Sequence, residues 1–119
     1  MTQPFQAQVR QQPNLATIDL VGEINGVADD ALNAAYGQAE SQDPATIVLN
    51  FNQVSYINST GIALIVGLIA RSRKARCQLA VYGLSEHYKE IFQITRLVDF
   101  LTIYEDEAAA AADMSAVHN

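Results

Sequence analysis

The sequence predicts an α/β fold, an open sheet with helices packed on it, and three observations carry that expectation. Segments with strand-like patterning alternate along the chain with segments of helical period, and strands separated by helices pack as a sheet faced by those helices. The change of period is sharpest in the middle. There the apolar, β-branched run Thr46-Ile47-Val48-Leu49-Asn50-Phe51 leads through Val54-Ser55-Tyr56-Ile57 into Asn58-Ser59-Thr60-Gly61 and then an apolar helical pattern. Finally, 119 residues, of which 50% are hydrophobic, are the material for one domain with one core, and no internal repeat or linker divides them.

Each element follows from its residues. Phe5 to Arg10 and Leu15 to Val21 read as strands joined by the polar, proline-containing turn Gln11-Gln12-Pro13-Asn14. Asp29 to Glu40 reads as an Ala-rich helix with acids in its first turn, leaving through Asp43-Pro44. Thr46 to Phe51 is a buried strand, Asn52-Gln53 a turn-like interruption, and Val54 to Ile57 the approach to the junction. Beyond Gly61, the residues Ile62, Ile65, Val66 and Ile69 share one helix face, and Leu64 with Leu68 adds a second apolar row, in a helix running to about Arg73. A helix apolar on more than one side is either wedged between sheet and neighbour or presents a docking surface. Gln78 to Tyr82 is the next strand, closed by Gly83. Ser85 caps a helix that carries Ile91, Phe92 and Thr95, Leu101 to Tyr104 is a short last strand, and Glu105 to Met114, with its five alanines, is a final helix.

Composition removes several classes of function. Thirteen Asp and Glu against 7 Lys and Arg give a formal net charge of -6, which argues against nucleic acid as a partner, since phosphate binding requires a dominant basic surface. The one basic cluster, Arg71, Arg73, Lys74 and Arg76, stands where a helix dipole favours cations. The Gln-rich start lacks the apolar centre of a signal peptide, and the apolar run Gly61 to Ala70 is about half of what crosses a bilayer. No direct membrane insertion is expected. Cys77, the only cysteine, excludes an internal disulfide and fits a reducing compartment, and it reads as a small core residue rather than a reactive thiol. The expected location is cytoplasmic.

Catalysis is not expected, nor any cofactor. A hydrolase elbow reads Gly-x-Ser-x-Gly, whereas Ile57 occupies the first of those positions here. The possible bases are His87, in the first turn of a helix, and His118, in the C-terminal segment, both read as solvated or satisfied. No phosphate-cradling glycine loop and no metal-spaced Cys and His group is present, so no metal site is expected. Ser59 is better read as a helix cap or as a target. Asn, Ser and Thr are favoured caps, while the free amides and positive dipole end of a helix start also favour a phosphate. The residues alone leave both readings open. Gly61, with no side chain, leaves room for another backbone or an active site to approach.

Ile57-Asn58-Ser59-Thr60-Gly61-Ile62, placed after a strand ending Val-Leu-Asn-Phe and before an apolar helix that ends in basic residues, resembles the signature of the STAS domain. The likeness is nearest to the bacterial anti-sigma-factor antagonists, where the segment reads Asp-Ser-[Ser or Thr]-Gly-[Leu or Ile]. Leu20-Val21-Gly22-Glu23-Ile24-Asn25 resembles a second family segment, Leu-x-Gly-x-[Leu or Ile]-Asp. The order of elements agrees from about residue 5 to residue 113. The resemblance implies a single STAS domain over residues 1-119, with a mixed sheet of four to five strands and about four helices. It implies an anti-sigma-factor antagonist that binds an anti-sigma factor with serine kinase activity, is phosphorylated at Ser59 (second choice Thr60) with ATP as the kinase's cofactor, and is reset by a serine phosphatase. The partner-binding surface would comprise Asn25, Asn58, Ser59, Thr60, Gly61 and Ile62. Asn25 and Asn58 stand where the antagonists usually carry Asp, so both positions keep their shape and lose their charge. The alternatives are a STAS scaffold or transporter-associated subunit that is never phosphorylated, and a small-ligand or nucleotide-binding module built on the polar loop around Asn25 and Asn58.

Overall fold

In a computed structural model, residues 4–117 are described, with side chains through Asp113. Strands β1 (Gln6–Gln12), β2 (Leu15–Ile24), β3 (Thr46–Ile57), β4 (Gln78–Tyr82) and β5 (Thr102–Tyr104) form one sheet in the order β1-β2-β3-β4-β5. β1 is antiparallel to β2, as a short hairpin requires, and every later pair is parallel because a helix returns the chain each time. Those helices are α1 (Asp29–Glu40), α2 (Ser59–Lys74) and α3 (Glu86–Ile94), and α4 (Glu107–Val117) follows β5. Short 3-10 turns at Gly26–Ala28 and Leu97–Asp99 lead into α1 and β5. His118 lies outside the described residues.

The pleat sorts the strand residues into two layers. Ala16, Ile18 and Leu20 of β2, Ile47, Leu49 and Phe51 of β3, and Leu79 with Val81 of β4 point to one face. That face is covered by Leu32 and Tyr36 of α1, Ile65, Leu68 and Ile69 of α2, and Phe92 of α3, all buried. On the other face Val48, Ala80 and Tyr82 bury against Ala110 of α4. Central strands covered on both sides explain why Ile47-Val48-Leu49 is apolar without alternation.

Two readings of the sequence require correction. Asn52-Gln53 is no turn. β3 is a single strand of 12 residues, in which two extra residues are absorbed as irregularities, since Asp19 pairs with Asn50, Val21 with Gln53 and Glu23 with Tyr56. β2 continues beside β3 throughout and keeps it extended, whereas β4 stops opposite Asn50 and leaves at Gly83, whose φ of 82° suits glycine. The buried row of α2 is Gly61, Ile65, Leu68 and Ser72, with Ile69, rather than a row through Val66, which is 46% exposed. The tightest contact sets this rotation: a Cβ on Gly61 would lie 2.1 Å from the Ile24 carbonyl oxygen. Gly61 thus does make room for a backbone, and that backbone is the chain's own. The basic cluster is partly consumed internally, because Arg71 pairs with Glu40 at 2.8 Å and stacks over Tyr36 at 4.7 Å, tying α2 to α1.

α4 is held by polar contacts more than by burial. Arg10 donates to both carboxylate oxygens of Asp19 at 2.7 and 2.9 Å and reaches Glu107 in the first turn of α4 at 3.0 Å. Tyr82 also donates to Glu107, at 3.1 Å, and Asn50 to Asp19, at 2.7 Å. Burial pushes the Asp19 pKa up, but the hydrogen bonds from Arg10 and Asn50 outweigh it and leave it below the usual value. Glu107 is lowered by Arg10, then by Tyr82.

Two predictions follow from these contacts. Gly61→Ala should destabilise the fold by roughly 2 kcal/mol, because a methyl group must displace backbone. By contrast, Gly67→Ala in the same helix, with nothing within 4 Å of its added Cβ, should stabilise by about 0.5–1 kcal/mol. Denaturant melts of both variants test the contrast. For Asp19 and Glu107 the folded pKa values are depressed, so the stability they contribute is present above their unfolded values and lost as pH falls through the folded ones. Melts between about pH 6 and pH 3 should therefore show a loss that Arg10→Met diminishes. With the side chains of Arg10 and Glu107 40% and 55% exposed, the difference should be on the order of 1 kcal/mol.

Candidate functional site

The site lies where β2 and β3 end side by side and α2 begins. Ile24 pairs with Ile57, the last residues of the two strands. The Asn58 N–H then donates to the Ile24 carbonyl at 3.2 Å, and the side-chain oxygen of Asn58 accepts the Gly61 N–H at 2.8 Å. Asn58, extended at φ -92° and ψ -177°, is therefore the N-cap of α2. Ser59 is the first helical residue. It is exposed, and among the described residues nothing hydrogen-bonds its hydroxyl. Ser59 is thus not the cap: its neighbour supplies it, and among the described residues its own hydroxyl has no partner.

The loop after β2 is built the same way. Asn25 is extended and caps the 3-10 turn, its side-chain oxygen accepting the Val27 N–H at 2.9 Å, while its side-chain amide donates to Glu23 at 3.3 Å. Both Asn residues cap through the carbonyl oxygen that Asp would also offer, so the caps survive without charge, whereas the bond from the Asn25 amide to Glu23 is one that Asp could not donate. The two loops lie side by side, since a Cβ on Gly26 would lie 3.6 Å from the Thr60 methyl group. Asn25 and Asn58 are half-buried, Thr60 is exposed, Ile62 is half-buried against the core, and Gly61 is buried. Of the residues singled out, five thus have some surface, and Gly61 serves to seat α2.

Sequence reasoning missed two exposed apolar neighbours. Val27 is 89% exposed in the turn that Asn25 caps, and Tyr56 is 52% exposed near the end of β3. Tyr56 carries a signal in its place, an aromatic residue just before the junction, but its outward direction depends on the irregular register of β3. Tyr88 was also missed. Its buried hydroxyl accepts the Ile57 N–H at 2.8 Å and donates to the Ile57 carbonyl at 3.4 Å.

The other candidates lie elsewhere. His87 is exposed in α3, packed edge-on to Tyr88 with ring centroids 4.9 Å apart. Cys77 is half-buried before β4, and burial pushes its thiol pKa up, which keeps it protonated and weakly nucleophilic. Arg73 stacks on the exposed ring of Phe100 at 5.1 Å. Among the described residues no group of three or more His, Cys, Asp or Glu is placed to hold a metal ion, and no helix is long and apolar enough to cross a membrane.

Comparison with known proteins agrees with this geometry. The family model for the STAS domain matches residues 6–110. An anti-sigma-B factor antagonist of Staphylococcus aureus is 34% identical over 94 residues, covering 79% of this chain and 87% of the relative. The crystal structure of an anti-sigma factor antagonist from Mycobacterium paratuberculosis superposes with a TM-score of 0.79 at 19% identity, covering 98% of this chain and 96% of the other. SpoIIAA in its unphosphorylated form gives a TM-score of 0.71 at 21% identity, covering 95% and 98%. At those identities the solved structures bear on the fold, and the matched length with the sequence relative bears on descent. With its five-stranded mixed sheet, its helices on both faces and its capped Asn-Ser-Thr-Gly junction, this chain belongs to the STAS domain family.

Proposed function

We propose that this chain is an anti-sigma-factor antagonist of the cytoplasm, which binds an anti-sigma factor with serine kinase activity and is switched by phosphorylation of Ser59. The observation that carries the reading is the exposed Ser59 side chain at the first position of α2, whose hydroxyl has no partner among the described residues and whose cap comes from Asn58. Its relatives named as anti-sigma-B factor antagonists support the class of partner. The face offered to that partner comprises Asn25, Val27, Tyr56, Asn58, Ser59, Thr60 and Ile62, a mixed set of uncharged polar and apolar side chains bordered by Glu23.

A phosphate on Ser59 adds roughly -1.5 to -2 charges. The amides at the start of α2 and its dipole accommodate it within the chain. A partner packed over the same residues would have to desolvate or oppose that charge, and unfavourable juxtaposition across an interface costs several kcal/mol. Since 1.4 kcal/mol is tenfold in affinity, such a cost separates binding from release. Neutral Asn58 repels the phosphate less than an Asp would, so the modified state should be reset slowly by the serine phosphatase.

The two Asn positions favour one second reading, a STAS scaffold or transporter-associated subunit that is never phosphorylated. Mass spectrometry of the protein from its native cells distinguishes the two, since phosphate at Ser59 excludes the scaffold. Ser59→Asp should weaken binding to the kinase-type anti-sigma factor of the same cells by about tenfold or more in calorimetry, whereas Ser59→Ala should bind like wild type and accept no phosphate. Unchanged affinity for Ser59→Asp would sink the switch. Melts should show Ser59→Ala near wild type and Asn58→Ala weakened by about 1 kcal/mol, since Asn58 holds the cap.

A further inference from the structure

β3 outruns its neighbour. β4 stops opposite Asn50, so on that side the segment of β3 leading to the site has no strand beside it. At Ile57 a side chain takes the place of the missing strand. The Tyr88 hydroxyl accepts the Ile57 N–H and donates to the Ile57 carbonyl, the pair of bonds that a residue of a neighbouring strand would have made. The peptide unit between Ile57 and Asn58 is consequently held at both of its polar atoms, its carbonyl by Tyr88 of α3 and its N–H by Ile24 of β2. That unit leads directly into the extended cap residue Asn58, whose side chain fixes the Gly61 amide and with it the first turn of α2. Tyr88 is itself fixed, being buried and having its backbone N–H capped by Ser85 Oγ at 3.3 Å.

We infer that Tyr88 is a positioning residue for Ser59, acting from α3 through the Ile57–Asn58 peptide. The inference rests on the reading of Ser59 as the modified residue only for its functional consequence. Loss of the hydroxyl would strip the buried Ile57 amide of its partner, release the peptide on one side and let the cap at Asn58 loosen. α3 then belongs to the same cooperative unit as the start of α2, although α3 enters the sheet only after the whole of α2 and β4. A tyrosine that merely satisfied its own hydroxyl would have no such reach.

Amide hydrogen exchange on the full chain, wild type and Tyr88→Phe, separates the two roles. The variant should exchange at least tenfold faster at Ile57, Asn58 and Gly61, measured against Ile18 and Leu20 of β2 in the same sample. Acceleration of all these amides by one common factor, or of Ile57 alone, would overturn the inference. Should Tyr88→Phe not fold, wild type in rising sub-denaturing urea decides: Tyr88, Ile57 and Gly61 should open together as one unit, and opening of Gly61 separately from Tyr88 would overturn it. In parallel, a kinase-active extract of the native cells with ATP should transfer phosphate to Ser59 of the variant at least fivefold more slowly than to wild type. Equal rates would overturn the functional half. If wild-type Ser59 takes no phosphate, the proposed switch fails and the exchange pattern still decides the role of Tyr88.

Discussion

The structure depends on the parallel pairing of β2 with β3, and above all on how that pairing ends. It is the longest interface in the sheet, joining Leu15 with Thr46 at one end and Ile24 with Ile57 at the other. Every helix on the main face packs onto these two strands or onto their immediate neighbours. At its far end the Ile24 carbonyl receives the Asn58 N–H and leaves no room for a side chain at residue 61. One carbonyl group thus fixes where β3 stops, where α2 starts and which face α2 turns inward. Ser59 and Thr60 lie exposed between two committed positions, Asn58 at the cap and Gly61 at the seat.

The two faces of the sheet are held by different forces. Under α1, α2 and α3 the contacts are apolar and buried, and the hydrophobic effect holds those helices without directional bonds. Under α4 the apolar contribution is small, because alanines carry little surface and Ala110 is the buried one among its described residues. Its placement is left to Arg10, Tyr82 and Glu107, together with the Tyr104 hydroxyl and Asp113. Apart from the buried Tyr82, these groups are part-exposed and screened by solvent. α4 is accordingly the helix most easily displaced, while the site at the start of α2 lies on the firmly packed side.

Much of this was legible in the residues. α1 and β4 have the bounds that their patterns imply, α2 starts at Ser59 as the change of period requires, and Ser85 caps α3. These features are local: a capping side chain, acids in a first turn, an apolar run closed by glycine. The Asn52-Gln53 interruption misled because polar residues within a strand look like a turn when only their own chain is considered. It is the continuing β2 beside them that keeps them extended.

By itself the sequence determined the order and type of elements, the junction at Asn58-Ser59-Thr60-Gly61 and the family motifs, because each rests on residues adjacent along the chain. Tertiary structure alone decided which face of α2 is buried, how closely the two loops approach and what holds the junction from outside. Each of those depends on a partner far along the chain: Ile24 against Gly61, Gly26 beside Thr60, Tyr88 against Ile57. No local pattern specifies such partners, since a carbonyl at 2.1 Å from an absent Cβ, or a phenol replacing a missing strand, exists only once the sheet has brought the segments together.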